Sequence, residues 1–434
     1  QRQLGLRVTL LESSDSAGGA PMFWSRVAFG IAAVAITITA AGCGSSSGGS
    51  TPTPTGPSPS ASATTGDGTT TTISAGLGTV CAAASSGNVS CWGYNTHGSV
   101  GDGTNIESNT PTLVKSLPSM ATTITTGDET SCALVSGGAA YCWGKIEFGE
   151  LGGTPKLDAA GYLPTGPTTD SDHPIPVQGL PGPATTITTG GYTTCAIVSG
   201  GAAYCWGKNE FGELGNGTTS TSTSPAKVKN LPSTATNIST SSGTTCTVTS
   251  AGRAYCWGDN ANGELGIGTT KNSSTPVQVN GLPTPVTGIA TGSGTTCATA
   301  AGSVYCWGNN KFGGVGNGST TNTTRPIKVS ALTGAADSVS TSNGTTCAIV
   351  ASGTAFCWGF NNKGQIGNGS TANTTSPVAV VGLPAPAKMI TTGNQTTCAI
   401  VTPGNAYCWG DNEVGQFGNG TEASSTSPVP VRGL

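Results

Sequence analysis

Residues 225–268 read PAKVKNLPSTATNISTSSGTTCTVTSAGRAYCWGDNANGELGIG, and the order of their parts decides the fold. A Pro opens the alternating run at 225–231, which reads as one short strand. Asn237-Ile238-Ser239-Thr240 reads as a second. Thr244 to Thr249 and Arg253 to Trp257 flank Ser250-Ala251-Gly252, the pattern of a hairpin with a Gly turn. The Gly-rich run from Gly258 to Gly268 leads to the next unit. Four strands in about 50 residues make one propeller blade.

The unit recurs. Cys-Trp-Gly stands at Cys91, Cys142, Cys205, Cys256, Cys306, Cys357 and Cys408. One step is longer, by about 12 residues between Gly152 and Pro174, and gives an extra loop read as 154–172. A lone sheet of this size cannot cover its faces; neighbouring blades cover them, and a ring removes the two exposed ends. Seven Pro-led strands, from Pro111 to Pro428, match seven Cys hairpins. The expectation is an all-β, seven-bladed β-propeller over residues 74–434, with four short antiparallel strands per blade. The ring is expected to be closed by the C-terminal strand, which would complete the blade begun at Thr71-Thr72-Ile73.

Three segments carry a family resemblance. Cys132-Ala133-Leu134-Val135, Tyr141-Cys142-Trp143-Gly144 and Phe148-Gly149-Glu150-Leu151-Gly152 are similar to the regulator of chromosome condensation repeat. The resemblance recurs along 74–434 and implies a seven-bladed propeller. Its nuclear namesake exchanges guanine nucleotides on a small GTPase, a role that an exported chain would not meet. Fold by itself does not assign function.

The N-terminus reads as an export signal. Arg26 precedes the apolar stretch from Val27 to Ile38, too short for a comfortable membrane span. Ala40-Ala41-Gly42-Cys43 resembles a bacterial lipobox, with Ala40 where Leu is commonest. Residues 22–42 are therefore expected to be a lipoprotein signal peptide, with Cys43 lipidated and residues 1–21 an upstream extension. An ordinary secretory signal is the alternative. Residues 43–73, rich in Gly, Ser, Thr and Pro, read as a flexible tether. The expected location is the cell envelope, lipid-anchored, or the medium if the lipobox is not used.

Fifteen cysteines are too many for an ordinary cytosolic chain. Without Cys43 they form seven pairs, each equidistant from its hairpin turn: 81/91, 132/142, 195/205, 246/256, 297/306, 347/357 and 398/408. Opposed residues of an antiparallel pair lie within disulfide reach, so seven within-blade disulfides are expected: Cys81–Cys91, Cys132–Cys142, Cys195–Cys205, Cys246–Cys256, Cys297–Cys306, Cys347–Cys357 and Cys398–Cys408. Buried thiols and zinc are the rivals; zinc suffers from wrong ligand spacing and from having only His97 and His173 to draw on. The seven Trp residues after the second Cys are read as blade-to-blade packing rather than an aromatic ligand site.

Chemistry is hard to find. Asp170, Asp172 and His173 are read as a solvated loop, and no metal, cofactor or catalytic residue is assigned. A glycan-acting enzyme would need paired carboxylates, for which Glu147 and Glu150 are the nearest candidates. A net charge of −3 disfavours nucleic acid. The repeats differ most after Cys-Trp-Gly, so Tyr94, His97, Lys145, Phe148, Lys208, Phe211, Phe312 and Phe360 are expected on one binding rim, with the Phe side chains either exposed or tucked under their own loops. The expected role is a non-enzymatic, monomeric scaffold that binds an extracellular or envelope protein. An inhibitor of an extracellular enzyme, such as a β-lactamase, is the alternative.

Overall fold

The computed structural model describes residues 69–153 and 170–434. The readings of 1–21, 22–42, Cys43 and the loop body 154–169 lie outside the described residues. Twenty-eight strands form seven four-stranded antiparallel sheets. Blades 1 to 7 span 70–113, 121–176, 184–227, 235–278, 286–328, 336–379 and 387–430. In blade 4, Ala235–Ser241 is innermost, Thr244–Thr249 and Ala254–Gly258 follow, and Ser273–Gln278 is the outer edge.

Two expectations about the ends of the ring need correction. The C-terminal strand, Ser425–Pro430, does not complete the first blade; it pairs with Asn405–Gly410 of its own blade, Cys408 opposite Val429. The Pro-led strands close the blade that precedes them. Pro276 lies on such an outer strand, where a missing N–H costs least. The ring then closes without a shared sheet, by packing and by hydrogen bonds between blades 7 and 1, such as Gly420 N to Asn109 O at 2.9 Å. Ile73, Val80 and Trp92 of blade 1 share a core with Ile400, Ala406 and Phe417 of blade 7. The first blade also begins earlier than composition implied. Thr70–Ala75 is its innermost strand, so the boundary at 73/74 falls inside a strand.

Each blade presents two different faces. Alternation puts both cysteines on one face and the Trp on the other. The cysteines are joined within every hairpin, with Cα–Cα separations of 4.0–4.1 Å. The Cys face of one blade meets the Trp face of the next: Cys246, Cys256, Val248 and Leu265 of blade 4 cluster with Trp307, Ile289 and Ala298 of blade 5. Among the described residues all seven Trp and all fourteen Cys are 0% exposed. Seven disulfides belong to an oxidising compartment.

The indole N–H has a fixed partner. Trp257 Nε1 donates to the Glu213 carbonyl of blade 3 at 2.7 Å, and Trp143 donates to Ser99 O of blade 1 at 2.9 Å. The same bond recurs at all seven interfaces. At six of them a hydroxyl joins in, as Thr245 Oγ1 does on Glu213 O at 3.0 Å. The seam between blades 7 and 1 differs: Val80 stands opposite Trp92, so Gln416 O accepts from the indole without a hydroxyl from that position.

Candidate binding rim

The loop after Cys-Trp-Gly is built on a buried Asn. Asn209 accepts from Leu214 N at 2.9 Å and donates to Thr218 O and Ser220 O. Asn95, Asn260, Asn310, Asn361 and Asn412 do the same in their blades. Blade 2 has Ile146 there, in the blade that carries the long loop. Ile146 N instead donates to Asp170 Oδ1 at 3.1 Å, where blades 4 to 6 use Asn272, Asn322 and Asn373. Asp170, and Asp172 and His173 in the strand Ser171–Pro176, therefore belong to the blade framework and not to the extra loop.

A second buried group caps the loop. Glu150, 0% exposed, accepts from Glu147 N at 3.1 Å and Phe148 N at 2.8 Å. Glu213 and Glu264 repeat the contact in blades 3 and 4, and Gln365 and Gln416 in blades 6 and 7. Glu150 thus serves its own backbone, and Glu147 and Glu150 do not form a hydrolytic pair. Desolvation pushes the Glu150 carboxyl up to about 7 and raises Glu213 and Glu264. A raised folded-state value means that the folded chain binds the proton more tightly than the unfolded one, so stability falls as pH rises from about 4.5 through about 7. The thermal midpoint is expected to drop between pH 5 and 8. Glu150→Gln, which forfeits one accepted bond but places the residue of blades 6 and 7, is expected to start lower at pH 5 and to fall less with pH.

The variable positions interlock around this face. The residue three places after the Tyr94-type position leans on the next blade. Phe312 stacks with Phe360, ring centroids 4.4 Å apart. Lys208 lies over Phe148 at 5.4 Å, and Lys363 reaches Asp411 at 3.4 Å. Phe211 and Asp259 both approach Gly243. The Phe side chains are therefore neither under their own loops nor uniformly free: Phe148 is only 8% exposed, against Tyr192 at 5.5 Å, while Phe211 is 39% exposed.

Departures from the repeat gather over blades 1 to 3. The turn between the first two strands of blades 4, 5 and 6 has Gly243, Gly294 and Gly344 at positive φ. Blades 2 and 3 place Glu129 and Tyr192 there, at φ 62° and 63°. A side chain in this region costs about 1–2 kcal/mol, and both are held by contacts. Glu129 Oε2 is 3.4 Å from Lys145 Nζ and 3.5 Å from His97 Nε2. Lys145 sits 3.0 Å from Glu147 and 5.1 Å above the Tyr192 ring. Burial works against the Lys145 charge, but Glu147 and Glu129 outweigh it and hold the ammonium above the usual lysine range. His97 Nδ1 meets Asp170 Oδ2 at 2.6 Å, whereas His173 pairs with Asp172 in solvent, so Asp170 and His173 do not share a site. Among the described residues no group of three or more such ligands fits a metal.

The buried Trp contact recurs at all seven interfaces, and the Asn-built loop recurs in six of the seven blades. The family model for the regulator of chromosome condensation (RCC1) repeat matches residues 86–134, 200–249, 251–299, 301–349 and 352–400, more than half of the chain. A second model of the same repeat matches 184–213, 336–365 and 390–416. The chain belongs to the RCC1 repeat family. The human E3 ubiquitin-protein ligase HERC2 is 28% identical over 365 residues, which are 82% of this chain and 6% of that protein. The Arabidopsis thaliana ultraviolet-B receptor UVR8 is 29% identical over 316 residues, 71% of this chain and 69% of the receptor. Yeast RCC1 (Prp20), solved bound to Kap60, superposes with a TM-score of 0.70 at 18% identity, over 80% of this chain and 83% of that one. These likenesses establish the RCC1 fold, while HERC2 is a far longer protein.

The rim residues expected from sequence all lie on one face of the RCC1 propeller. The structure brings His97, Lys145, Phe148 and Lys208 together over blades 1 to 3 and sets Phe312 and Phe360 apart in blades 5 and 6. Sequence reading missed Glu129, Tyr192 and Asp170. The signal was present in part: Glu129 and Tyr192 stand where blades 1, 4, 5 and 6 have Gly and blade 7 has Gln395, and Asp170 stands where blades 4 to 6 have Asn.

Proposed function

We propose that this chain is a non-catalytic protein-binding scaffold displayed on the outside of the cell envelope through Cys43. Its recognition surface is the rim over blades 1 to 3. The observation that carries the reading is the concentration of repeat-breaking residues there: Glu129 and Tyr192 in left-handed turns, and Ile146 and the long loop in blade 2. A purely structural ring has no use for such departures, and RCC1-repeat propellers are a family of interaction scaffolds. Exposed Phe211 beside the Lys208–Glu210 pair supplies an aromatic anchor with charged neighbours.

The test is affinity capture from the host envelope with the full chain and with the variant Lys208→Glu/Phe211→Ala. Phe148 is spared because it packs between blades. The expected result is one dominant partner whose retention falls at least about tenfold with the variant, at an unchanged thermal midpoint. Equal retention by both chains overturns the assignment of the rim. If the dominant partner is a hydrolase inhibited on binding, the scaffold is an enzyme inhibitor.

A further inference from the structure

The two flat faces of the ring carry opposite charge, which the net value of −3 conceals. Of sixteen acidic residues among the described ones, fifteen lie on the rim side: in turns between first and second strands, in loops between third and fourth strands, or at the start of a fourth strand. Asp337 is the exception. The opposite face is formed by turns between second and third strands and by the connectors to the next blade. Backbone bonds tie these together, as Ser136 N does to Met120 O and Ala235 N to Gly201 O. Six exposed basic residues stand at this end, Lys227, Lys229, Arg253, Lys328, Lys388 and Arg432, while Lys115, at the repeat position of Lys229 and Arg432, turns its ammonium towards Gly103 of a rim-side loop. Met120, 55% exposed, and Val381, 61% exposed, lie among them in the connectors.

The junction with the preceding chain is on this same face. Thr69 O accepts from Ser85 N at 2.9 Å, and Thr70 N donates to Gly404 O at 3.3 Å, so blade 1 begins between two turns of the basic face.

We infer that the basic face docks on an anionic lipid surface and so turns the acidic, aromatic rim outward. The inference rests on the envelope-display reading above. Exposed cations with scattered apolar side chains suit the headgroup layer, and each Lys or Arg near an anionic leaflet adds roughly a fivefold factor in partition. The rim, rich in carboxylates, would be repelled by the same surface, so the ring has one stable orientation.

The test uses the full chain with Cys43→Ser, which removes lipidation, and compares it with the same chain also carrying Lys227→Glu, Lys229→Glu and Lys388→Glu. The apolar segment before Cys43 is common to both, so the difference reads the face. Sedimentation with phosphatidylglycerol vesicles is expected to fall at least about tenfold in the charge-reversed chain, and the parent's excess over phosphatidylcholine to vanish near 1 M salt. An equal reversal at Glu147 and Glu210 is expected not to weaken binding. Equal sedimentation of parent and charge-reversed chains overturns the inference, as does a parent that binds heparin or DNA but shows no preference for phosphatidylglycerol. Incorporation of labelled fatty acid at Cys43 in the unaltered chain reports the anchor separately, so failure of docking and failure of anchorage are told apart.

Discussion

Full reduction of the unfolded chain is expected to prevent its return to the native ring. Each disulfide closes a loop whose ends are 9 or 10 residues apart, and the seven loops do not overlap. In the chain-entropy model each restrains the unfolded state by about 3 kcal/mol, so seven amount to roughly 20 kcal/mol. A whole domain is stable by only about 5–15 kcal/mol, so their loss outweighs the margin. The native chain, in contrast, should resist reductant, because every sulfur is sealed between two blades. The measurement is thiol labelling and near-ultraviolet circular dichroism, first on native protein in dithiothreitol and then after denaturation and refolding with or without reductant. A reduced chain that regains the native signal would show that the blades cohere without their crosslinks.

Trp257→Ala is expected to lower stability by about 3–5 kcal/mol, the range for removing a large buried side chain, with loss of packing against Leu214 and Ile238. A gentler change separates the bond from the bulk. Trp257→Phe keeps most of the volume, and Glu213 O keeps the Thr245 hydroxyl, so the cost should stay near 1 kcal/mol beyond the change in volume. At the closing seam Trp92→Phe removes the indole donor, and Val80 offers no hydroxyl there, which should add about 1–3 kcal/mol. Urea unfolding of the oxidised proteins checks both. A Trp92 variant no worse than its Trp257 counterpart would mean that the indole N–H contributes little where blades 7 and 1 meet.

Much of the fold was legible because its unit is local. The two strands around Ser250-Ala251-Gly252 need only their own hairpin to bring Cys246 opposite Cys256. Blade count, disulfide partners and the buried Trp follow from that unit repeated. The rim was half legible. Positions such as Tyr94, Lys145, Lys208 and Phe360 stood out as variable, but Phe148 was expected at the surface or under its own loop and instead rests against Tyr192 of the next blade. Glu147 and Glu150 stood out only as the nearest pair of carboxylates, and the structure gives the Glu150 carboxylate to Glu147 N and Phe148 N.

By itself, then, the sequence determined the all-β repeat, the number of blades and the pairing of fourteen cysteines, since each depends on residues within one hairpin or on a count of hairpins. Only the tertiary structure decided which sheet a Pro-led strand joins, and hence that Ser425–Pro430 completes blade 7 while contacts between blades 7 and 1, not a shared sheet, seal the ring. It alone separated the charges onto two faces and gathered Glu129, Lys145, His97 and Asp170 at one point of the rim. Strand formation answers to the alternation of neighbouring side chains. The partner of an edge lies across a long loop, as Cys408 does from Val429, and the burial of a loop residue and the field of a face answer to groups in other blades, which meet only when the blades stack.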